Sequence, residues 1–252
     1  MATSDTRAAS DVDAPVRVRQ REAAADPEGF WARAAQELPW FRPWDRVFEW
    51  TPPTFRWFLG AQTNLSYNCL DRHVATGRGD HTALIALTER GERREYTYTQ
   101  LLDAVTQLAA ALRGLGISKG DRIAIYMPTC PEAIALMLAA ARIGAIHLVV
   151  FAGFGSGALG ERLRLSGARA LFTTDVTFRK GRDVPLKDIV DAAVDAAGEV
   201  VERVIVLGRT GGDVRMHEGR DIWWEDFLAL GAGQDTTRVS EPRSKRRATS
   251  VP

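Results

Sequence analysis

Two short stretches of the sequence carry residue types that could bind a phosphorylated ligand. Residues 178–185 read FRKGRDVP and place three cations around a glycine, as Arg179, Lys180, Gly181 and Arg182. A guanidinium fork can hold two phosphate oxygens at once, so these side chains could form a compact anion site. A solvated basic turn has the same composition, and composition alone favours that interpretation.

The second stretch, residues 151–160, reads FAGFGSGALG. It contains Gly155, Gly157 and Gly160 in G-x-G-x-x-G spacing after a predicted strand, and Asp175 ends the next predicted strand. In a dinucleotide fingerprint such glycines admit a pyrophosphate to a helix N-terminus, and the acid binds a ribose. However, this strand is not the first of its unit, and a lone fingerprint is often a false positive. A Rossmann-type dinucleotide-binding oxidoreductase is therefore kept as an alternative.

Apolar strand and helix patterns determine where these stretches lie. Strands are predicted at residues 122–126, 146–151 and 170–174, with a helix in each interval. This alternation requires right-handed crossovers and predicts an α/β fold, a parallel-sheet βαβ subdomain. Ligands of such sheets bind beyond the carboxyl ends of the strands, where both stretches are placed.

The two ends of the chain differ from this pattern. Residues 1–26 have almost no bulky apolar side chains and are predicted to be a disordered arm. Residues 41–68 combine Trp with Pro, which neither a regular helix nor a central strand tolerates. An irregular aromatic and Pro-rich segment that wraps onto a larger body is expected there. Residues 231–252 lack a periodic apolar face and are predicted to be a disordered tail.

Composition narrows the classes of function. The 33 basic and 32 acidic side chains nearly cancel, so neither nucleic acid nor a membrane surface is an expected partner. Cys69 and Cys130 are too few for a disulfide framework and lack metal-ligand spacing, so no metal site is assigned. The N-terminus lacks the apolar core of a signal peptide, and a cytoplasmic protein is expected.

A string at residues 64–73, NLSYNCLDRH, resembles the N-(V/L)-S-Y-N-C-(L/V)-D-R-H string of AMP-forming acetyl-CoA synthetases in the adenylate-forming superfamily. Residues 115–154, LGISKGDRIAIYMPTCPEAIALMLAAARIGAIHLVVFAGF, are similar to the same family. Asp71, Arg72 and His73 could suggest acid–base chemistry, but successive helical residues point in different directions. For these three side chains, packing is favoured over catalysis.

The resemblance implies a ligase that forms an acyl-adenylate from ATP and a short carboxylate such as acetate, with Mg²⁺, and passes the acyl group to coenzyme A. It implies that residues 27–95 are an N-terminal segment and residues 96–230 the first part of an AMP-binding domain. It also implies that Arg179 and Arg182, on the loop with Lys180 and Gly181, bind the phosphates of coenzyme A. The residues that would flank its adenine are Phe151, Ala152, Gly153 and Phe154.

The family's phosphate-binding string, T-S-G-T-T-G-x-P-K-G, does not occur in the sequence. The chain is therefore expected to be an N-terminal fragment that is inactive alone and keeps at most part of the coenzyme A site. No catalytic residue is assigned. A non-catalytic interaction module, self-associating through a face that the rest of the domain would cover, is a further alternative.

Overall fold

The computed structural model describes residues 9–88, 90–210, 212–235 and 239. The chain divides into two compact units, Met1–Thr63 and Asn64–Pro252. Within the described ranges, no helix is both long enough and apolar enough to cross a membrane.

The N-terminal unit contains two helices and a β-hairpin. Helix α1 spans Ala9–Ala25 and α2 spans Pro27–Ala35. Strands β1 (Arg46–Thr51) and β2 (Thr54–Leu59) pair antiparallel. Ala35 is the one buried apolar residue among the described part of this unit, and its aromatic rings contact one another instead.

Two parts of this unit differ from the expectations. Residues 9–25 form a helix rather than a disordered arm, because Ala, Arg, Gln and Glu favour helix even without a buried face. Residues 1–8 lie outside the described residues. The Trp- and Pro-rich segment is not irregular throughout, because Pro52 and Pro53 occupy the turn between β1 and β2 and leave the ladder free of proline.

The C-terminal unit begins with the helical turns Tyr67–Asp71 and Val74–Arg78. The antiparallel hairpin of β3 (Thr82–Leu87) and β4 (Arg93–Thr97) follows, and then helix α3 (Tyr98–Gly114). Thr97 caps α3 by accepting a hydrogen bond from the Gln100 amide at 3.2 Å. The Gln100 side chain accepts a bond from the Thr97 amide in return, so the two residues form a capping box at the start of α3.

A five-stranded parallel sheet forms the centre of this unit, which confirms the predicted α/β fold. Its strands in chain order are β5 (Arg122–Tyr126), β6 (Ile146–Val149), β7 (Ala170–Thr174), β10 (Arg203–Leu207) and β11 (Asp221–Trp223). Their spatial order is β11, β10, β7, β5, β6, and all neighbours are parallel. A separate antiparallel pair, β8 (Val176–Arg179) and β9 (Arg182–Pro185), projects after β7.

Helices cover both faces of the sheet. They are α4 (Pro131–Ile143), α5 (Ser156–Ser166), α6 (Leu186–Ala197) and α7 (Trp224–Ala229). One apolar core joins α3, α4 and α7 to the sheet, and the other joins α5 and α6 to it. Helix α7 begins only at Trp224, because Ile222 and Trp223 lie in β11.

The NLSYNCLDRH string serves the packing of this unit. The Asn64 amide nitrogen donates to the carbonyl of Ala141 at 2.9 Å, near the C-terminus of α4. Asp71 accepts two hydrogen bonds, at 2.8 and 2.9 Å, from the buried guanidinium of Arg142. The His73 ring lies 4.5 Å from the Tyr98 ring. The interpretation of Asp71 and His73 as packing residues is confirmed.

Candidate functional site

A cleft of about 660 Å³ lies beyond the carboxyl ends of β5 and β6, and we call it the strand-end cleft. Residues that follow these strands form part of its wall, and residues of β3, β4 and β8 and Arg209, which follows β10, form the rest. The lining side chains that are charged, aromatic or nucleophilic, and so could contact a ligand, include Arg94, Cys130, Phe151, Phe178, Arg179 and Arg209. The parallel sheet thus places its cleft where ligands of this fold class bind.

The turn after β6 supplies an aromatic rim. Phe151 and Phe154 are 62% and 40% exposed, and their rings meet edge to face at 5.9 Å. The buried Tyr126 hydroxyl donates to the Phe154 carbonyl at 2.5 Å and fixes the turn to β5. A Cβ at Gly153 would overlap the Phe151 ring and lie 2.9 Å from Nη1 of Arg179, so any larger residue would have to displace these two side chains.

Residues 178–184, expected to be a loop, form most of a hairpin. Lys180 and Gly181 have φ of 50° and 74°, so both central positions of the two-residue turn are left-handed, as in a type I′ hairpin. Gly181 adopts this conformation without cost. We call β8, this turn and β9 together the cationic hairpin.

The structure brings only part of the predicted site together. The Arg179 guanidinium lies 5.6 Å from the centre of the Phe151 ring, and both residues line the strand-end cleft with Ala152 and Gly153. Lys180, Gly181 and Arg182 are exposed at the hairpin tip and do not line that cleft. Phe154 contributes through its ring contact with Phe151.

Two arginines beside the cationic hairpin are not predicted from the sequence. The guanidinium carbons of Arg90 and Arg209 lie 3.7 and 4.5 Å from the centre of the Phe178 ring. Arg90 also pairs with Asp183 at 3.0 Å. Arg209 follows β10 by two residues, so the strand-end rule could have found it. No sequence signal places Arg90, in the turn between β3 and β4, beside the distant Phe178.

Asp175 does not face the cleft as a ribose ligand would. It is 2% exposed, and its carboxylate accepts bonds from the amides of Val176, Arg209 and Thr210 at 2.7, 2.9 and 3.1 Å. The Thr210 hydroxyl adds a fourth bond at 3.0 Å. With its oxygens so occupied, the dinucleotide interpretation loses its acidic ligand.

Ionisable groups around the cleft favour anion binding over nucleophilic chemistry. Burial raises the pKa of the Cys130 thiol to about 12, so the thiol stays protonated at neutral pH. The pKa of Glu132 is lower than its ordinary value. Burial of the carboxyl acts to raise this pKa, but the hydrogen bond and the charge of Arg94 lower it by more. The charge of Arg94 is paired with that of Glu132, so Arg179 and Arg209 are the cleft cations that could pair with a ligand.

One cluster in the described part of the chain has the spacing of metal ligands, namely Asp191, His217 and Asp221. Lys187 already occupies it, because its ammonium lies 2.7 Å from Asp191 and 2.8 Å from Asp221. Arg220 pairs with both carboxylates as well. This cluster is a buried ion network, and its charge is already balanced.

The sequence model of the family described as AMP-binding enzyme matches residues 70–241. The chain belongs to this family. The preceding residues 19–69 match a second model, described as the acetyl-coenzyme A synthetase N-terminus. The resemblance drawn from the NLSYNCLDRH string and residues 115–154 is therefore confirmed.

Curated relatives of this AMP-binding chain include acetyl-coenzyme A synthetases. That of Rubrobacter xylanophilus is 47% identical over 208 residues, which are 82% of this chain and 32% of the relative. That of Deinococcus radiodurans is 45% identical over 211 residues, 83% and 32% of the two chains. The chain thus spans about a third of the length of these relatives.

A solved structure supports the same assignment. The acetoacetyl-CoA synthetase from Streptomyces lividans matches 88% of this chain and 33% of its own, with a TM-score of 0.78 and 27% sequence identity. The α/β arrangement around the strand-end cleft is thus shared with a known acyl-CoA synthetase.

Proposed function

We propose that this chain is the N-terminal part of an acetate or short-chain carboxylate:coenzyme A ligase and supplies one wall of its coenzyme A site. The complete enzyme would form an acyl-adenylate from the carboxylate and ATP with Mg²⁺. It would then transfer the acyl group to the coenzyme A thiol. The relatives named acetyl-coenzyme A synthetase support the acetate type.

The observation that carries the proposal is the meeting of Arg179 with the aromatic rim in the strand-end cleft. An aromatic face beside a guanidinium suits a purine that carries phosphate, because the ring stacks and the cation pairs with oxygen. Arg182, Lys180 and Gly181 at the exposed tip could reach further phosphate oxygens of a long ligand. Arg209 adds a second cation to the cleft itself.

The chain alone should bind coenzyme A weakly. Charge-assisted hydrogen bonds contribute roughly 1.5–3 kcal/mol each where water is partly excluded, and less on an exposed turn. Two such bonds and weak stacking correspond to about millimolar affinity. Because the T-S-G-T-T-G-x-P-K-G string is absent from the sequence, we expect the chain with acetate, ATP, Mg²⁺ and coenzyme A to form no acetyl-CoA.

An NMR titration with coenzyme A and dephospho-coenzyme A tests the proposal. We expect coenzyme A to shift the amides of the cationic hairpin and of residues 151–154, and to bind more tightly than the dephospho form. Arg179→Ala should remove that preference. The matched control is Arg164→Ala, an exposed arginine on α5. Equal binding of both ligands by the unaltered chain would refute the phosphate role of the hairpin.

Self-association is a second candidate property, and exposed apolar side chains favour it. Leu87, Ile146, Val149 and Phe151 are 71, 55, 52 and 62% exposed, and β6 is an edge strand of the sheet. An open edge beside apolar surface favours association between copies. Light scattering over a concentration series should give a mass above 27.7 kDa. A constant monomer mass would refute it.

A further inference from the structure

We infer that Asp175 is a positioning residue that holds the cationic hairpin, and with it Arg179, at the strand-end cleft. The inference takes the nature of the ligand, a phosphorylated nucleotide, from the proposed function. It assigns a role to the acid of the G-x-G-x-x-G pattern that differs from ribose binding.

The cationic hairpin leaves and rejoins the rest of the unit at Asp175. The Asp175 amide donates to the Leu207 carbonyl of β10 at 3.1 Å, and its carbonyl accepts from the Leu186 amide at 2.9 Å. The first bond fixes the end of β7, and the second closes the hairpin at the start of α6. The first strand of the hairpin therefore starts directly after Asp175, and the second strand ends beside it.

The Asp175 carboxylate adds a link that the backbone cannot make. One oxygen accepts from the Val176 amide, the first residue of the hairpin, and from the Arg209 amide. The other oxygen accepts from the amide and hydroxyl of Thr210. A single buried side chain thus joins the hairpin base to the loop that follows β10.

That loop contacts the hairpin a second time, nearer its tip. The Arg209 guanidinium lies against Phe178, and Phe178 directly precedes Arg179. On the opposite strand, Asp183 pairs with Phe178 in the ladder and holds Arg90, which also lies against the ring. The direction of Arg179 therefore depends on the Arg209 loop, and the Arg209 loop is fixed by Asp175.

The hairpin needs such an anchor because it is small. Its ladder has four residue pairs, from Val176 with Pro185 to Arg179 with Arg182. It joins no larger sheet in the described part of the chain, and an isolated two-stranded hairpin is marginally stable in water. Its orientation must then come from contacts at its base and along Phe178.

Asp175→Asn is the sharpest test, because it keeps the shape and replaces one acceptor oxygen by an NH₂ donor. At least one of the bound amides then faces a donor, and the link between hairpin and loop loosens. Amide shifts and heteronuclear NOE values at Lys180 and Gly181 should change. Affinity for coenzyme A should fall about tenfold, the equivalent of one charge-assisted hydrogen bond, and affinity for dephospho-coenzyme A should fall less.

Two further variants separate positioning from general stability. Asp188→Asn, an exposed acid on α6, should change neither the hairpin amides nor the ratio of the two affinities. Phe178→Leu leaves Asp175 intact, removes the ring beneath the arginines and should also reduce the ratio. If Asp175→Asn does not fold, Phe178→Leu tests the second link, from the Arg209 loop to Arg179, and an unchanged ratio would overturn the inference.

The outcomes are distinct. Unchanged hairpin amides in Asp175→Asn would overturn the inference, and so would an equal loss of affinity for both ligands. In the Arg179→Ala background, Asp175→Asn should have no further effect on the ratio, and a further loss would contradict positioning through Arg179. If the unaltered chain binds both ligands equally, the proposed function fails, and the hairpin amides alone decide on positioning.

Discussion

The turn after β6 and the cationic hairpin after β7 both lie at the carboxyl ends of the strands of one sheet, but different kinds of residue hold them in place. The turn relies on small residues and one buried hydroxyl, since Gly153 lies against Phe151 and Tyr126 donates to Phe154. The hairpin is largely exposed and relies on the buried carboxylate of Asp175. The turn thus combines close packing with one neutral hydrogen bond, whereas the base of the hairpin is held by several hydrogen bonds to one buried carboxylate.

The three glycines of the G-x-G-x-x-G pattern show why spacing misleads here. A Cβ at Gly155 or Gly157 would meet no heavy atom within 4 Å, whereas one at Gly160 would lie 2.9 Å from the Ala193 carbonyl. Only Gly160 is required, and its neighbour is helix α6 rather than a ligand. Asp175 completes the pattern in sequence but serves the other region.

The largest expected effect comes from removing the acid. Asp175→Ala leaves the amides of Val176, Arg209 and Thr210 without their buried acceptor, and hydrogen bonds to a charged group contribute roughly 1.5–3 kcal/mol each. Solvent can reach part of the Arg209–Thr210 loop and replace some of these bonds, so we expect a loss of about 3 kcal/mol. Urea unfolding followed by circular dichroism measures it. A loss below that of Asp188→Ala would contradict an anchoring role.

The second effect tests the packing of α5, the helix that follows the turn, against α6. Gly160→Val adds a branched side chain where even a Cβ lies 2.9 Å from the Ala193 carbonyl and 3.4 Å from the Ala196 Cβ. Overpacking of this kind costs about 1–3 kcal/mol. Thermal unfolding should show a lower midpoint. Gly157→Val makes the same change in open space of the same helix, and an equal loss there would exclude the α5–α6 contact as the cause.

The sequence predicts the fold of the C-terminal unit better than its site. Arg122–Tyr126 and Ala170–Thr174 form strands with the expected bounds, because buried parallel strands are short apolar runs between breakers. Arg179 meets Phe151 as expected from strand-end placement. The contact of Arg90 with Phe178 depends on how the β3–β4 hairpin packs on the sheet, and local periodicity does not encode that arrangement.

The N-terminal unit shows what composition can and cannot predict. The Ala- and Arg-rich start predicts low burial, and the exposed residues of α1 agree with that part. Low burial does not exclude helix, because Ala, Arg, Gln and Glu make up most of residues 17–25 and favour it, although Pro15 lies within the helix. A lack of bulky apolar residues therefore predicts exposure, and it does not by itself predict disorder.

A smaller effect concerns the one hydroxyl that fixes the turn. Tyr126→Phe keeps the buried ring and removes the donor to the Phe154 carbonyl. An intramolecular hydrogen bond contributes about 1 kcal/mol net, so the free energy of unfolding should fall by a similar amount. NMR shifts should be confined to residues near Phe154. Shifts of equal size in the cationic hairpin would show that the two regions are coupled rather than independently held.

The smallest effects compare one glycine near the turn with one in the hairpin, and the two differ in backbone conformation rather than in the space around them. Gly157 on the turn side and Gly181 in the hairpin both have open space where a Cβ would lie, but only Gly181 has a positive φ, 74°. Gly157→Ala should raise the free energy of unfolding by about 0.5 kcal/mol, because alanine loses less backbone entropy in a helix. Gly181→Ala should lower it by about 1 kcal/mol, since a left-handed alanine is strained. Paired denaturant titrations measure both signs, and a destabilised Gly157→Ala would mean that this glycine is required after all.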